Sequence, residues 1–211
     1  MTTVAKPLYR KRVGYQAALL GGFAMLAAAL LIVGNDATHE AISDRQAEDL
    51  LASLTQVIPA GLHDNDLLAN AIRIDGDDGQ PVTIYRAIKA QHITAFAWRT
   101  VAQGYAGDID LLLGVDASGR LLGVRVLAHA ETPGLGDKIE AQKSDWILGF
   151  KGHSLTNTSE AEWHVKKDGG RFDQFSGATI TPRGVVRAVH ESLVFFRAHK
   201  DELAVMQEAQ P

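Results

Sequence analysis

Asp173-Gln-Phe-Ser-Gly-Ala-Thr179 gathers a carboxylate, two hydroxyls and two small residues in one short stretch, and Ile180-Thr181-Pro182 follows directly. Thr181 and Pro182 have the form of an N-cap residue and a first-turn proline, so a helix is expected to begin there. Thr179 then falls in the loop just ahead of a helix N-terminus, where unpaired N–H groups and the positive end of the macrodipole favour an anion. A phosphate on the Thr179 hydroxyl suits that field. Ser176 adds a hydroxyl that can donate to a phosphate oxygen, Gly177 opens backbone geometry closed to other residues, and Ala178 leaves the approach uncrowded. On local physics alone the same residues are more often a plain capping loop, and that reading stands beside the phosphate site.

Other chemistries find less support. Gly134-Leu-Gly136 begins like a dinucleotide fingerprint, but the third glycine is absent and Pro133 interrupts the entry from the strand, so no nicotinamide site is expected. The eight histidines show no His-x-x-x-His grouping; His129 and Glu131, two apart on a strand, supply two ligands at most, and no metal site is expected. Cysteine is absent, which excludes disulfides, thiolate nucleophiles, iron–sulfur ligation by this chain and Cys-based zinc sites. Ser176 lacks a nucleophile-elbow context. Asp75-Gly-Asp-Asp-Gly-Gln-Pro81 lacks the acidic residue that a helix–loop–helix calcium site requires and reads as a solvated turn. A net charge of −4 gives no field attractive to nucleic acid. Any redox chemistry must be borrowed from a cofactor.

The elements that position these residues follow from the hydrophobic pattern. The chain has 211 residues, 46% hydrophobic and 22% charged, enough for one folded domain once a terminal apolar segment is set aside. Val13 to Asn35 is uncharged and, at about 1.5 Å per residue, long enough to cross a hydrocarbon core of about 30 Å. It exceeds the apolar region of a signal peptide, about 7–15 residues, and no cleavage site follows Val33. Lys6, Arg10, Lys11 and Arg12 precede the span, whereas Asp36, Glu40 and Asp44 follow it. The positive-inside rule then places the N-terminus in the cytoplasm and the remainder across the membrane, in a bacterium the periplasm.

Beyond the span, Ala47, Leu50, Leu51, Leu54 and Val57 keep helical spacing, and Ser43 with Gln46 forms a capping box, which predicts an amphipathic helix over 43–57 that stops before Pro59. Val82 to Ala90 alternates as a strand. Ile109–Val115 and Leu121–Leu127, joined by Asp116-Ala-Ser-Gly-Arg120, read as an antiparallel hairpin. The loop His129–Gly136 leads into a partly helical segment, Asp137–Phe150. Trp163–Val165 reads as a short strand that turns at Asp168-Gly-Gly170. Val185, Val186, Val189, Leu193 and Phe196 predict a helix from Pro182 to about Lys200, packed on the sheet. No internal repeat is present.

Asp173-Gln-Phe-Ser-Gly-Ala-Thr179 resembles the flavinylation motif of the FMN-binding domain found in bacterial Rnf and sodium-pumping NADH:quinone oxidoreductase complexes. Glu131-Thr-Pro-Gly-Leu-Gly136 resembles that family's other recurring stretch, and the likeness is closest over residues 100–195. Chain length and the run from Asp173 to Pro182 are more similar to the G subunit of the Rnf complex, also called Rsx, than to the longer C subunit of the quinone reductase. The resemblance implies FMN held covalently by a phosphoester to Thr179. It also implies a flavin transferase that recognises Asp173, Ser176, Gly177, Ala178 and Thr179, takes FAD as donor and releases AMP. Ser176, Gly177, Ala178 and Thr181 are then expected beside the cofactor, with Glu131, Thr132, Gly134, Leu135 and Gly136 close to the flavin.

The implied fold is α+β: one N-terminal transmembrane helix, then an antiparallel-sheet FMN-binding domain with packed helices. The expected divisions are a cytoplasmic N-terminus (1–12), the membrane helix (13–35), a membrane-proximal helix and strand region (36–98), the FMN-binding domain (99–200) and a C-terminal tail (201–211). The implied role is a carrier, not a complete enzyme, that passes electrons between the other subunits of an inner-membrane complex. Such a complex couples ferredoxin and NAD(H) oxidoreduction to ion movement, or in some bacteria keeps a redox sensor reduced. The alternatives are an anchored non-redox assembly or binding module whose loop at Thr179 is structural, and a noncovalent flavoprotein.

Overall fold

The computed structural model describes residues 13–76 and 79–204. Its first element is α1, Val13–Val57. The stretch Val13–Asp36 has a mean hydropathy of 2.3 and none of it is buried, so it is long and apolar enough to cross a membrane. The chain divides into two compact units between Glu48 and Asp49. The expectation of a separate helix starting at Ser43 needs correction, because α1 continues through that position. Asp36 to Ile42 contains no glycine or proline to break it, and Thr38 returns its hydroxyl to Gly34 O at 2.8 Å, one turn back. The helix ends ahead of Pro59, where the sequence places its stop.

The second unit is built on a five-stranded antiparallel sheet in which every strand pairs with its neighbour in sequence. The strands are β1 (Ile72–Asp75), β2 (Pro81–Lys89), β3 (His92–Gln103), β4 (Asp108–Asp116) and β5 (Leu121–Ala128). The hairpin expected around Asp116–Arg120 is β4–β5, with Leu113 opposite Val124. The expected division at 98/99 falls within β3. Of the turn-rich break Asp75–Pro81, Asp77 and Asp78 lie outside the described residues; around them Gly76 N–H donates to Gln80 O at 2.8 Å. Residues 1–12 and 205–211 also lie outside.

Alternation along the strands sends side chains to two covered faces. Phe96, Trp98, Leu111, Leu113 and Val124 pack against Val185, Val189, Leu193 and Phe196 of α2 (Ile180–Ala204). There Trp98 stacks on Phe196, with centroids 6.0 Å apart and planes 5° from parallel. Ala95, Ala97 and Leu112 meet Leu54, Val57 and Ile58 on the other face. Each fully buried Leu, Val or Ile side chain among them contributes about 1.5–3 kcal/mol. α2 approaches β3 at Gly184, where a Cβ would fall 2.0 Å from Gln103 O. That close approach fixes the start of α2 beside the β3–β4 turn.

Between β5 and α2 the backbone makes short 3-10 turns, including Gly136–Ile139 and Asp145–Phe150. The strand expected at Trp163–Val165 is corrected to a single bridge, Val165 to Phe172, because the chain reverses at once through Lys166–Asp168 and Gly169. The start of α2 is also corrected. The helix begins at Ile180, so Thr181 is its second residue rather than its cap, and Thr179 immediately precedes it. Pro182 still fits, since N–H groups of the first turn have no intrahelical acceptor to lose.

Candidate functional site

Two turns of the same kind approach one another. In Thr132-Pro-Gly-Leu135 the Leu135 N–H donates to Thr132 O at 3.1 Å, and Gly134 has φ 79°. In Phe175-Ser-Gly-Ala178 the Ala178 N–H donates to Phe175 O at 3.2 Å, and Gly177 has φ 81°. A positive φ at the third position makes both type II turns and requires glycine there. The Leu135 side chain reaches Gly177, its Cδ2 3.5 Å from where a Cβ would stand.

Glu131 holds the surrounding segments together. It is 6% exposed; its Oε1 accepts the Ala106 N–H at 3.0 Å and its Oε2 accepts the Thr181 hydroxyl. The carboxylate thus ties the β3–β4 turn and the first turn of α2 to the end of β5. Its own N–H donates to His129 Nδ1 at 3.0 Å, which leaves the imidazole proton on Nε2, facing Glu140 Oε1 at 2.8 Å. Lys143 completes the chain, 2.6 Å from Glu140 and 3.0 Å from Asp137. The Lys143 ammonium, then the His129 ring, holds the Glu140 carboxyl below the usual carboxylate range. Asp137 is lowered first by the Gly134 N–H and then by Lys143. The loop 131–136 is therefore braced by charge from behind.

In front of it lies a cavity of about 250 Å³ lined by residues of three segments: Tyr105; Glu131, Thr132, Leu135 and Gly136; and Gly177 to Ile180. Thr179 is half-buried in its wall, and its hydroxyl bonds to no other described residue. The Thr179, Ile180 and Thr181 N–H groups belong to the open end of α2. A planar, largely apolar group with an anionic tail attached to Thr179 fits this combination. A second cavity, of about 510 Å³, shares Ile180 and is lined also by Trp163, His164, Arg187 and His190, and Thr179 takes no part in lining it.

The structure brings most of the sequence-derived residues together and separates a few. Glu131, Thr132, Leu135, Gly136, Gly177, Ala178 and Thr179 share the cavity. Gly134 and Ser176 are exposed within the two turns and outside its lining. Thr181 is fully buried and positions Glu131 instead of facing the cavity. Asp173 stands on the surface, its carboxylate 2.6 Å from Lys166 Nζ and its carbonyl accepting Trp146 Nε1 at 2.7 Å. Phe175, 7% exposed and edge-on to Trp146, anchors the motif between the exposed Asp173 and Ser176. Tyr105 was not read from the sequence as a site residue; an aromatic flanked by Gly104 and Gly107 at a strand end is the signal it offered.

The G subunit of an ion-translocating oxidoreductase complex from Cereibacter sphaeroides is 51% identical over 185 residues, covering 88% of this chain and 84% of that protein. The corresponding G subunit of Stutzerimonas stutzeri is 47% identical over 203 residues, 96% of this chain and 89% of that one. This chain belongs to that G-subunit family. Residues 104–194 match the FMN-binding domain family, a span that contains all three walls of the cavity in this member of the G-subunit family. Among solved structures, Shewanella oneidensis NqrC aligns with a TM-score of 0.48 and 22% identity over 66% of this chain and 74% of that one.

Proposed function

We propose that this chain is an electron-transfer subunit that carries FMN joined by a phosphoester to Thr179, within a membrane complex of the Rnf type. The observation that carries the reading is the position of the Thr179 hydroxyl, free of hydrogen bonds to other described residues, in the wall of a cavity lined by both motif segments. In the attachment step the Thr179 oxygen bonds to the FMN-side phosphorus of FAD. The pyrophosphate P–O bond breaks, AMP leaves and the hydroxyl proton is released. A flavin transferase docking on the exposed Asp173 and Ser176 supplies FAD.

Once attached, a flavin holds one or two electrons, while the protein fixes its position and surroundings. The open end of α2 favours the ester phosphate. Leu135 and Ile180 offer apolar surface, and Glu131 keeps the three walls in register. The anchor Val13–Asp36 leaves the flavin domain on the periplasmic side of the inner membrane, by the positive-inside rule. There a flavin once lost is not readily replaced, which favours a covalent bond. The donor and acceptor are other redox subunits of the complex, which couples ferredoxin and NAD(H) oxidoreduction to ion movement or keeps a redox sensor reduced.

The test is flavin fluorescence of the denatured band on a gel, after co-production with a flavin transferase, for the native chain and Thr179→Ala. A fluorescent native band and a dark variant support covalent FMN on Thr179. A dark native band despite an active transferase overturns the covalent reading, and absorbance at about 450 nm of the undenatured protein then separates a noncovalent flavoprotein, which is coloured, from an anchored module with a structural loop, which is not.

A further inference from the structure

Tyr105 exposes 71% of its surface, although an aromatic ring is among the side chains that gain most from burial. Its backbone is not free to move away. The β3–β4 turn closes with Gly104 N–H donating to Gly107 O at 2.9 Å, and the next amide, Ala106 N–H, is held by Glu131 at 3.0 Å. The ring thus stands in solvent on a fixed stem, beside the cavity that contains Thr179. Among the described residues it stacks on no other ring, and its hydroxyl bonds to none of them. Leu135, 43% exposed, and Ile180, 48% exposed, line the same cavity from the two other segments. Single exposed apolar side chains are ordinary; three from separate segments that meet around one cavity mark a contact surface.

We propose that Tyr105 is a cofactor-contacting residue that lies against the isoalloxazine ring of a flavin attached to Thr179, in the cavity it lines together with Leu135. The proposal rests on the covalent-FMN reading. Isoalloxazine is planar and, when oxidised, electron-poor; phenol is planar and electron-rich, and such rings settle in offset-stacked or edge contacts. Contact buries surface that Tyr105 otherwise leaves in water and shields one side of the flavin. It also has an optical signature. A phenol touching a photoexcited flavin passes it one electron and receives it back before emission, so fluorescence is quenched while nothing is consumed.

The experiment uses the full chain co-produced with a flavin transferase, as native protein, Tyr105→Phe and Tyr105→Leu. Peptide mass spectrometry reads the FMN-phosphoryl adduct on Thr179, and flavin emission is compared folded and denatured. The expected result is an adduct in all three and equal emission when denatured. In the folded state the native protein is several-fold dimmer than either variant, with a shorter lifetime. Phe keeps the ring but is a poor electron donor, so recovery in Tyr105→Phe ties the quenching to the phenol. Adducts in all three with equal folded emission overturn the Tyr105 contact and leave the attachment standing. A native chain without the adduct overturns both.

Discussion

The Thr181 hydroxyl donates a hydrogen bond to Glu131 Oε2 across a separation of fifty residues, and both side chains are buried. Thr181→Val keeps the shape of the side chain and leaves that carboxylate oxygen without its donor. The domain should lose about 1–3 kcal/mol, the cost of an unsatisfied buried acceptor. Chemical unfolding of native and variant proteins measures it; equal midpoints and slopes would show that the bond does not matter to stability.

Leu135 sits at the exposed crest of its turn, so Leu135→Asp should fold as the native chain does. A carboxylate placed in the cavity opposes the negative charge a flavin gains on reduction. In flavin-loaded protein the midpoint potential should fall, read by spectroelectrochemical titration. An unchanged spectrum and potential would remove Leu135 from the flavin contacts.

Arg183, in the first turns of α2, grips Asp168 with two hydrogen bonds of 2.6 Å. Those bonds hold the Asp168 carboxyl below the usual carboxylate range. A folded-state pKa below the unfolded value of about 3.9 adds stability above that value and loses it as pH falls through the folded pKa. Asp168→Asn should therefore be less stable than the native chain near neutrality, and the gap should narrow below pH about 4. Urea unfolding at both pH values decides the matter; a gap of constant size would rule out the linkage.

Gly184→Ala should displace α2 from β3, since the added methyl would stand 2.0 Å from the Gln103 carbonyl oxygen. Overpacking against backbone costs about 1–3 kcal/mol, and the displacement reaches the cavity through Ile180 and Thr179. Lower thermal stability together with reduced flavin incorporation is expected. Full incorporation in the variant would separate helix docking from the site.

The β4–β5 hairpin was legible from two short apolar runs on either side of the turn Asp116–Arg120, and α2 from apolar residues at helical spacing. β3 was not, because Ala95 and Ala97 face one covered side and Phe96 and Trp98 the other, and the turn before it, Ala90-Gln91, carries no glycine, proline, Asn or Asp to announce a hairpin. A strand apolar on both faces offers no alternation to read. The continuity of α1 past Asn35 was hidden by a plausible cap at Ser43, and the cap of α2 was placed two residues late because Thr181-Pro182 imitates one. The two motif segments were read separately, and that they share a cavity is a finding of the structure. Tyr105 escaped because its relation to Thr179 depends on how the β3–β4 turn lies against the end of β5, a relation that no local pattern records.

Every strand of the sheet pairs with the one before it, so the sheet depends on contacts close in sequence, which close early in folding. The remaining wall of the cavity comes with α2, which is separated from β5 by the whole segment of short turns and packs back on β3. Competence to hold a cofactor thus depends on contacts distant in sequence as well as on the locally paired sheet. A molecule truncated between the end of β5 and Gly177 lacks the third wall of the cavity and the helix that covers one apolar face of the sheet, so covering that face and readiness for the cofactor are gained together.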